Sequence, residues 1–119
     1  MILHIVRRGE WQDAMRDRSY APASLATEGF IHCSTAAQVV ETANRFFPGQ
    51  RDLLIVCLDE RELASPLRYE RPVPGGEERN GTLFPHLYGP LNLDAVSGVF
   101  EFPCDAEGQF VVPAALRAD

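Results

Sequence analysis

The sequence predicts an α+β domain: a mixed β-sheet with helices packed on it. Three observations carry this. The chain has 119 residues, 45% hydrophobic and 24% charged, which suits one domain with one self-sufficient core. Short β-rich runs and helical repeats follow one another without the strict alternation of a doubly wound α/β fold, which ranks second. Leu53–Leu58 is apolar at every position, as expected of a central strand covered on both faces. The domain is expected over residues 1–113, with 114–119 as a frayed tail.

Residues 2–6 form a β-rich run, and Trp11, Ala14 and Met15 then fall at i, i+3 and i+4, one face of a helix that Trp11 anchors to the sheet. Residues 19–26, with Pro22 and two serines, read as an extended crossing segment. Residues 29–34 read as a second strand. Thr35 and Gln38 make a capping box, followed by Val39, Val40, Ala43, Phe46 and Phe47 on one helical face until Pro48-Gly49 stops it. After the central strand, Asp59 with Glu62 offers a second capping box, Leu58 with Leu63 a hydrophobic staple, and Pro66 an end to a one-turn helix. Residues 67–71 alternate as a half-exposed strand. Residues 72–81, with two prolines and three glycines, read as a surface loop of a length suited to a lid. The aromatic segment 83–91 is pinned by two prolines, a turn follows at 92–95, and a strand is expected near 96–102.

Composition excludes several classes of chemistry. All eleven Lys plus Arg residues are arginine, so Schiff-base, P-loop-lysine and lysine-base chemistry have no residue to carry them. A net charge of -6 argues against nucleic acid or an anionic membrane as partner. Three cysteines, Cys33, Cys57 and Cys104, fit neither a disulfide framework nor a metal knuckle and read as reduced core thiols. No signal-peptide pattern opens the sequence and no apolar run approaches the roughly 20 residues of a membrane span, so a cytoplasmic location is expected.

The three histidines, His4, His32 and His86, each lie in or beside a short apolar segment. A neutral imidazole in a buried strand needs partners for both nitrogens. Each is therefore either a hydrogen-bonded core residue or part of a common site. Strand periodicity puts His32 on the face of Phe30 and Ser34 and turns Cys33 the other way, against a Cys33-His32 nucleophilic pair. Ser34 and Thr35 can contact an anion at the N-terminus of the predicted helix, or simply cap it. His86 pairs with Tyr88 by the same face rule, and Glu70 is the best-placed carboxylate, as a ligand contact or a solvated edge charge. Arg7, Arg8, Arg16 and Arg18 offer a phosphate contact or a solvated helix edge.

Leu3-His4-Ile5-Val6 with Glu10-Trp11, the phrase SLATEGFIHCST at 24–35 with Gln38-Val39, and FPHLYGPL at 84–91 resemble the signature of a small, mostly bacterial family catalogued as domain of unknown function 952. The resemblance covers about residues 2–112. Members of that family are similar in fold to ADP-ribosyltransferases and RNA 2'-phosphotransferases, which hold NAD or an ADP-ribose group in the cleft of a split β-sheet. The resemblance implies that His4 hydrogen-bonds the ribose and nicotinamide end of NAD, and that His32 with Ser34 shapes the nicotinamide pocket. At the third position, where protein-modifying transferases usually carry Glu, this chain has His86 and Tyr88.

The function so implied is that of an ADP-ribosyltransferase-like enzyme. It would bind NAD or another ADP-ribose compound and transfer or cleave the ADP-ribosyl group, with the acceptor open. The site would comprise His4, His32 and His86 as catalytic residues, with Ser34, Thr35, Tyr88 and Glu70 contacting the ligand. Two alternatives stand beside it: a hydrolase with zinc on the three histidines, and a non-catalytic module that binds a nucleotide-like metabolite or a partner through the apolar surface at 83–91.

Overall fold

A computed structural model describes residues 1–71 and 83–116 of the chain, so the loop expected at 72–81 and residues 117–119 of the expected tail lie outside the described part. The element order is β1 (Ile2–Arg7), α1 (Arg8–Asp17), α2 (Ala23–Thr27), β2 (Ile31–His32), α3 (Val39–Phe46), β3 (Leu53–Leu58), β4 (Leu67–Glu70), β5 (Phe84–Leu87) and β6 (Val96–Glu101). Single 3-10 turns lie at Glu60–Glu62, Leu93–Ala95 and Ala114–Leu116, and Leu116 packs against the core.

The class is α+β, but the sheet is not mixed. Two three-stranded sheets, ordered β1-β3-β6 and β2-β5-β4, are antiparallel at every pairing. The order of elements along a chain carries no information on strand direction, which is decided by how each connection returns. The first sheet has a core on each face. Ile2, Val6, Leu54, Val56 and Leu58 face one cluster with Trp11, Tyr20, Ile31 and Leu87. Leu3, Ile5, Leu53, Ile55 and Cys57 face another with Val39, Ala43, Phe102 and Phe110. That is why β3 carries no polar residue: all six of its side chains are buried, each worth roughly 1.5–3 kcal/mol relative to exposure.

Three local expectations are corrected. Residues 19–26 are extended only in their first part, where Tyr20 bridges Leu91 and Pro22 keeps extended backbone; from Ala23 the chain turns into α2. Pro22, read as part of the extended segment, is the N-cap residue of this helix. Gly29, at φ 90°, closes that helix as its N–H reaches the Leu25 carbonyl at 3.1 Å, so the second strand shrinks to Ile31–His32. Half of the first capping box forms: the Thr35 N–H donates to Gln38 Oε1 at 3.0 Å. The other end of the Gln38 amide donates to the Leu83 carbonyl at 2.7 Å, and α3 begins only at Val39.

An isolated bridge joins the two sheets. The Leu3 N–H donates to the Ser34 carbonyl at 2.7 Å and the Ser34 N–H returns to Leu3 at 2.8 Å. This link sets His4 beside the His32 main chain.

Candidate functional site

Strand parity assembles the site. His86 pairs in register with His32 on one side and with Arg68 on the other. The three therefore share a face, and Glu70 and Tyr88, each two residues further along, lie on it as well. The opposite face carries Ile31, Leu67 and Leu87 into the core. Cys33 also belongs to that core; burial pushes its thiol up to about 12, which removes it as a nucleophile. All three cysteines are free and buried.

A cavity of about 410 Å³ opens between this face and α3. His4, His32, His86, Ser24, Ser34, Thr42 and Glu28 supply its polar lining, and Ile5, Phe46, Phe47 and Phe84 much of its apolar wall. The His32 and His86 rings lie 5.7 Å apart, edge to face. Phe30 stacks on His86 at 4.1 Å between centroids.

Each of these two imidazoles is braced by a carboxylate. His86 Nδ1 donates to Glu70 Oε1 at 2.9 Å, and the same oxygen accepts the Tyr88 hydroxyl at 2.6 Å. Those bonds, Tyr88 first and His86 second, hold the Glu70 carboxyl below the usual carboxylate range. With Nδ1 as donor, Nε2 of a neutral His86 ring is an acceptor. It bonds to no described residue, and the ring lines the cavity. His32 Nε2 bonds Glu28 Oε2 at 2.7 Å. The Arg68 guanidinium lies 5.1 Å over the Tyr88 ring and balances the Glu70 charge.

His4 is different. Its Nδ1 donates to the His32 carbonyl at 2.6 Å and its Nε2 accepts the Tyr20 hydroxyl at 2.6 Å. Burial lowers its pKa to about 4, so the ring is a neutral, fully bonded core histidine. It lines the cavity but has no nitrogen left for a ribose, which corrects the role expected from sequence. Tyr20, the partner that decides this, carries no signal in the sequence beyond being aromatic.

The other candidates divide. Ser34 lines the cavity, its hydroxyl 3.4 Å from that of Thr42. Thr35 does not line it, and its N–H is held by Gln38. Glu70 and Tyr88 stand behind His86 rather than in the lining. Among the described residues no arginine lines the cavity; Arg7, Arg8 and Arg16 pair instead with Glu10, with Asp52 and Glu101, and with Asp13. Among the described residues no three His, Cys, Asp or Glu side chains are grouped to hold a metal ion. No helix among them is long and apolar enough to cross a membrane.

Sequence reasoning missed Glu28. Its four-residue spacing from His32 looks helical, yet the contact crosses the bend at Gly29, which no periodicity describes. The turn after Tyr88 is equally constrained. Gly89 sits at φ 151°, and a Cβ there would lie 2.8 Å from Ser65 Cβ and closer still to its hydroxyl. Gly89→Ala is expected to lower stability by about 2 kcal/mol through backbone strain and this clash. Urea unfolding checks it; an unchanged midpoint would show that the turn relaxes freely.

Comparison with known proteins adds a family and a fold. The crystal structure of protein CC0527 from Caulobacter crescentus is 32% identical, covers 97% of this chain and 96% of its own, and superimposes with a TM-score of 0.82. The solution NMR structure of the same protein gives 33% identity, coverage of 91% and 89%, and a TM-score of 0.74. No curated protein matches the chain. The family model described as a protein of unknown function, DUF952, matches residues 5–99, most of the chain and every element from within β1 to within β6, and the chain belongs to that family.

Proposed function

We propose that this cavity binds NAD, or another ADP-ribose compound, by its nucleoside end and that the protein cleaves or transfers the ADP-ribosyl group. One observation carries the reading: two imidazoles on neighbouring strands, each held by a carboxylate, face one cavity with an aromatic wall. Its volume of about 410 Å³ falls within the roughly 300–1,000 Å³ of small-molecule sites. Phe46, Phe47 and Phe84 suit a flat ring, while His32, His86, Ser34 and Thr42 suit a hydroxylated sugar. With Glu28 as the carboxylate of the lining and no arginine among its described residues, the pyrophosphate belongs outside the cavity. Two separate antiparallel sheets, linked through the Leu3–Ser34 bridge and the His4–His32 bond, support an ADP-ribosyltransferase-like split arrangement.

In this mechanism Ser34 and His32 orient the ribose, and His86 accepts or supplies a proton as the glycosidic bond opens and positive charge grows on the sugar. Calorimetric titration of the protein with NAD and with ADP-ribose, followed by assay of free nicotinamide, tests it. Saturable NAD binding with nicotinamide release is expected. Binding without release leaves a non-catalytic nucleotide-binding module, and no binding of either compound removes the reading.

A further inference from the structure

We propose that the acceptor of the transferred group is an oxygen nucleophile, water or a hydroxyl, and that Glu70 positions His86 as the base that takes its proton. This rests on the reading of the cavity as an ADP-ribosyl site. The geometry behind it is the fixed tautomer of His86. Glu70 Oε1 takes the Nδ1 proton at 2.9 Å and is itself held by the Tyr88 hydroxyl at 2.6 Å. Phe30 fixes the ring plane by stacking at 4.1 Å. The ring lines the cavity, and its Nε2 bonds to no described residue.

An oriented imidazole base discriminates among acceptor classes. A carboxylate is already ionised and needs no base. A thiol supplies its own thiolate near neutrality. A guanidinium holds its proton too tightly for imidazole to remove. A hydroxyl or water is the acceptor for which such a base changes the outcome, because its proton must leave as the new bond forms. In the step, the acceptor oxygen bonds to C1' of the ribose while the bond from C1' to the nicotinamide nitrogen breaks. Its electron pair departs with the ring as neutral nicotinamide. The acceptor proton passes to His86 Nε2 and then to solvent. NAD and an alcohol thus give the O-linked ADP-riboside, nicotinamide and one proton, and water in place of the alcohol gives ADP-ribose. Glu70, which does not line the cavity, acts through His86 and is a positioning residue.

The test incubates the whole chain with NAD and, in turn, methanol, β-mercaptoethanol, acetate and agmatine, and resolves the products by mass spectrometry. O-methyl ADP-riboside and ADP-ribose are expected, their ratio rising with methanol, without sulfur, acyl or guanidino adducts. Glu70→Gln should lower kcat by roughly 100-fold with KM little changed, and Glu70→Asp should restore part of the rate. In ¹⁵N NMR the wild-type His86 should carry its proton on Nδ1, and Glu70→Gln should mix the tautomers. Nicotinamide release with adducts to thiol, carboxylate or guanidine overturns this inference alone. So does a wild-type kcat in Glu70→Gln, or a His86 proton resting on Nε2 in the wild type. Absence of any nicotinamide release overturns it together with the reading on which it rests.

Discussion

His86→Ala is expected to slow nicotinamide release from NAD by roughly 10²–10⁴-fold, the usual contribution of a positioned acid or base. The ring stands where three constraints meet: the in-register pair with His32, the Phe30 stack and the Glu70 bond. Removing it deletes the base, opens space beside Phe30, and leaves Glu70 with Tyr88 as its remaining neutral donor. ADP-ribose affinity should fall much less than the rate, since the pocket's aromatic wall and His32 remain. The informative measurement is therefore the split between affinity by calorimetry and single-turnover rate. Wild-type turnover in this variant would falsify the assignment of His86, and a parallel loss of all ADP-ribose binding would point to a purely architectural role. The side chain is 4% exposed, so the melting curve of the variant has to be recorded alongside.

The second large effect is on stability in acid. His4 has its folded pKa lowered to about 4 from 6.5. Above pH 6.5 both folded and unfolded chains hold a neutral ring, and the site contributes no pH dependence. As pH falls from 6.5 towards 4, the unfolded chain takes up a proton that the folded chain refuses, so stability declines with falling pH. The accumulated loss below pH 4 is about 3 kcal/mol, because the two values bracket a pH interval in which each decade of proton concentration costs roughly 1.4 kcal/mol. Asp59 and Glu70 also hold lowered values, so their contributions are present above the ordinary carboxylate range and vanish only further into acid. Most of the His4 window thus lies above theirs. Urea denaturation from pH 7.5 to 4.5 should show the decline, and His4→Gln should flatten it. A wild-type profile as flat as that of His4→Gln would show that the buried ring accepts a proton without penalty.

Much of the architecture was legible because it follows from local rules. The apolar run of β3 and the helical face from Val39 to Ala43 each report burial with a known period, whereas in β4 the alternation gives the strand but not the burial, since Tyr69 is exposed and Glu70 half-buried. The inward turn of Cys33 and the common face of His86 and Tyr88 followed from the same two-residue repeat. Where a residue has two local uses, the reading failed. Pro22 precedes a helix as readily as it sits in an extended segment, and Gln38 divides its amide between Thr35 and the distant Leu83 carbonyl.

The site itself shows the same division. Sequence alone determined which faces of the short strands carry His32, Ser34, His86 and Tyr88, because side-chain direction on a strand is a local property of the backbone. It also limited the chemistry by offering no lysine and only three histidines. Only the tertiary structure decided which histidine has a nitrogen to offer. His4 and His86 look alike in the sequence, each a lone imidazole among apolar residues. His4 meets Tyr20 and the His32 carbonyl, whereas His86 meets Glu70 on one nitrogen and no described residue on the other. Hydrogen-bond partners brought together across 16 or more residues leave no local trace in the chain, and it is those partners that separate the fully bonded ring of His4 from that of His86.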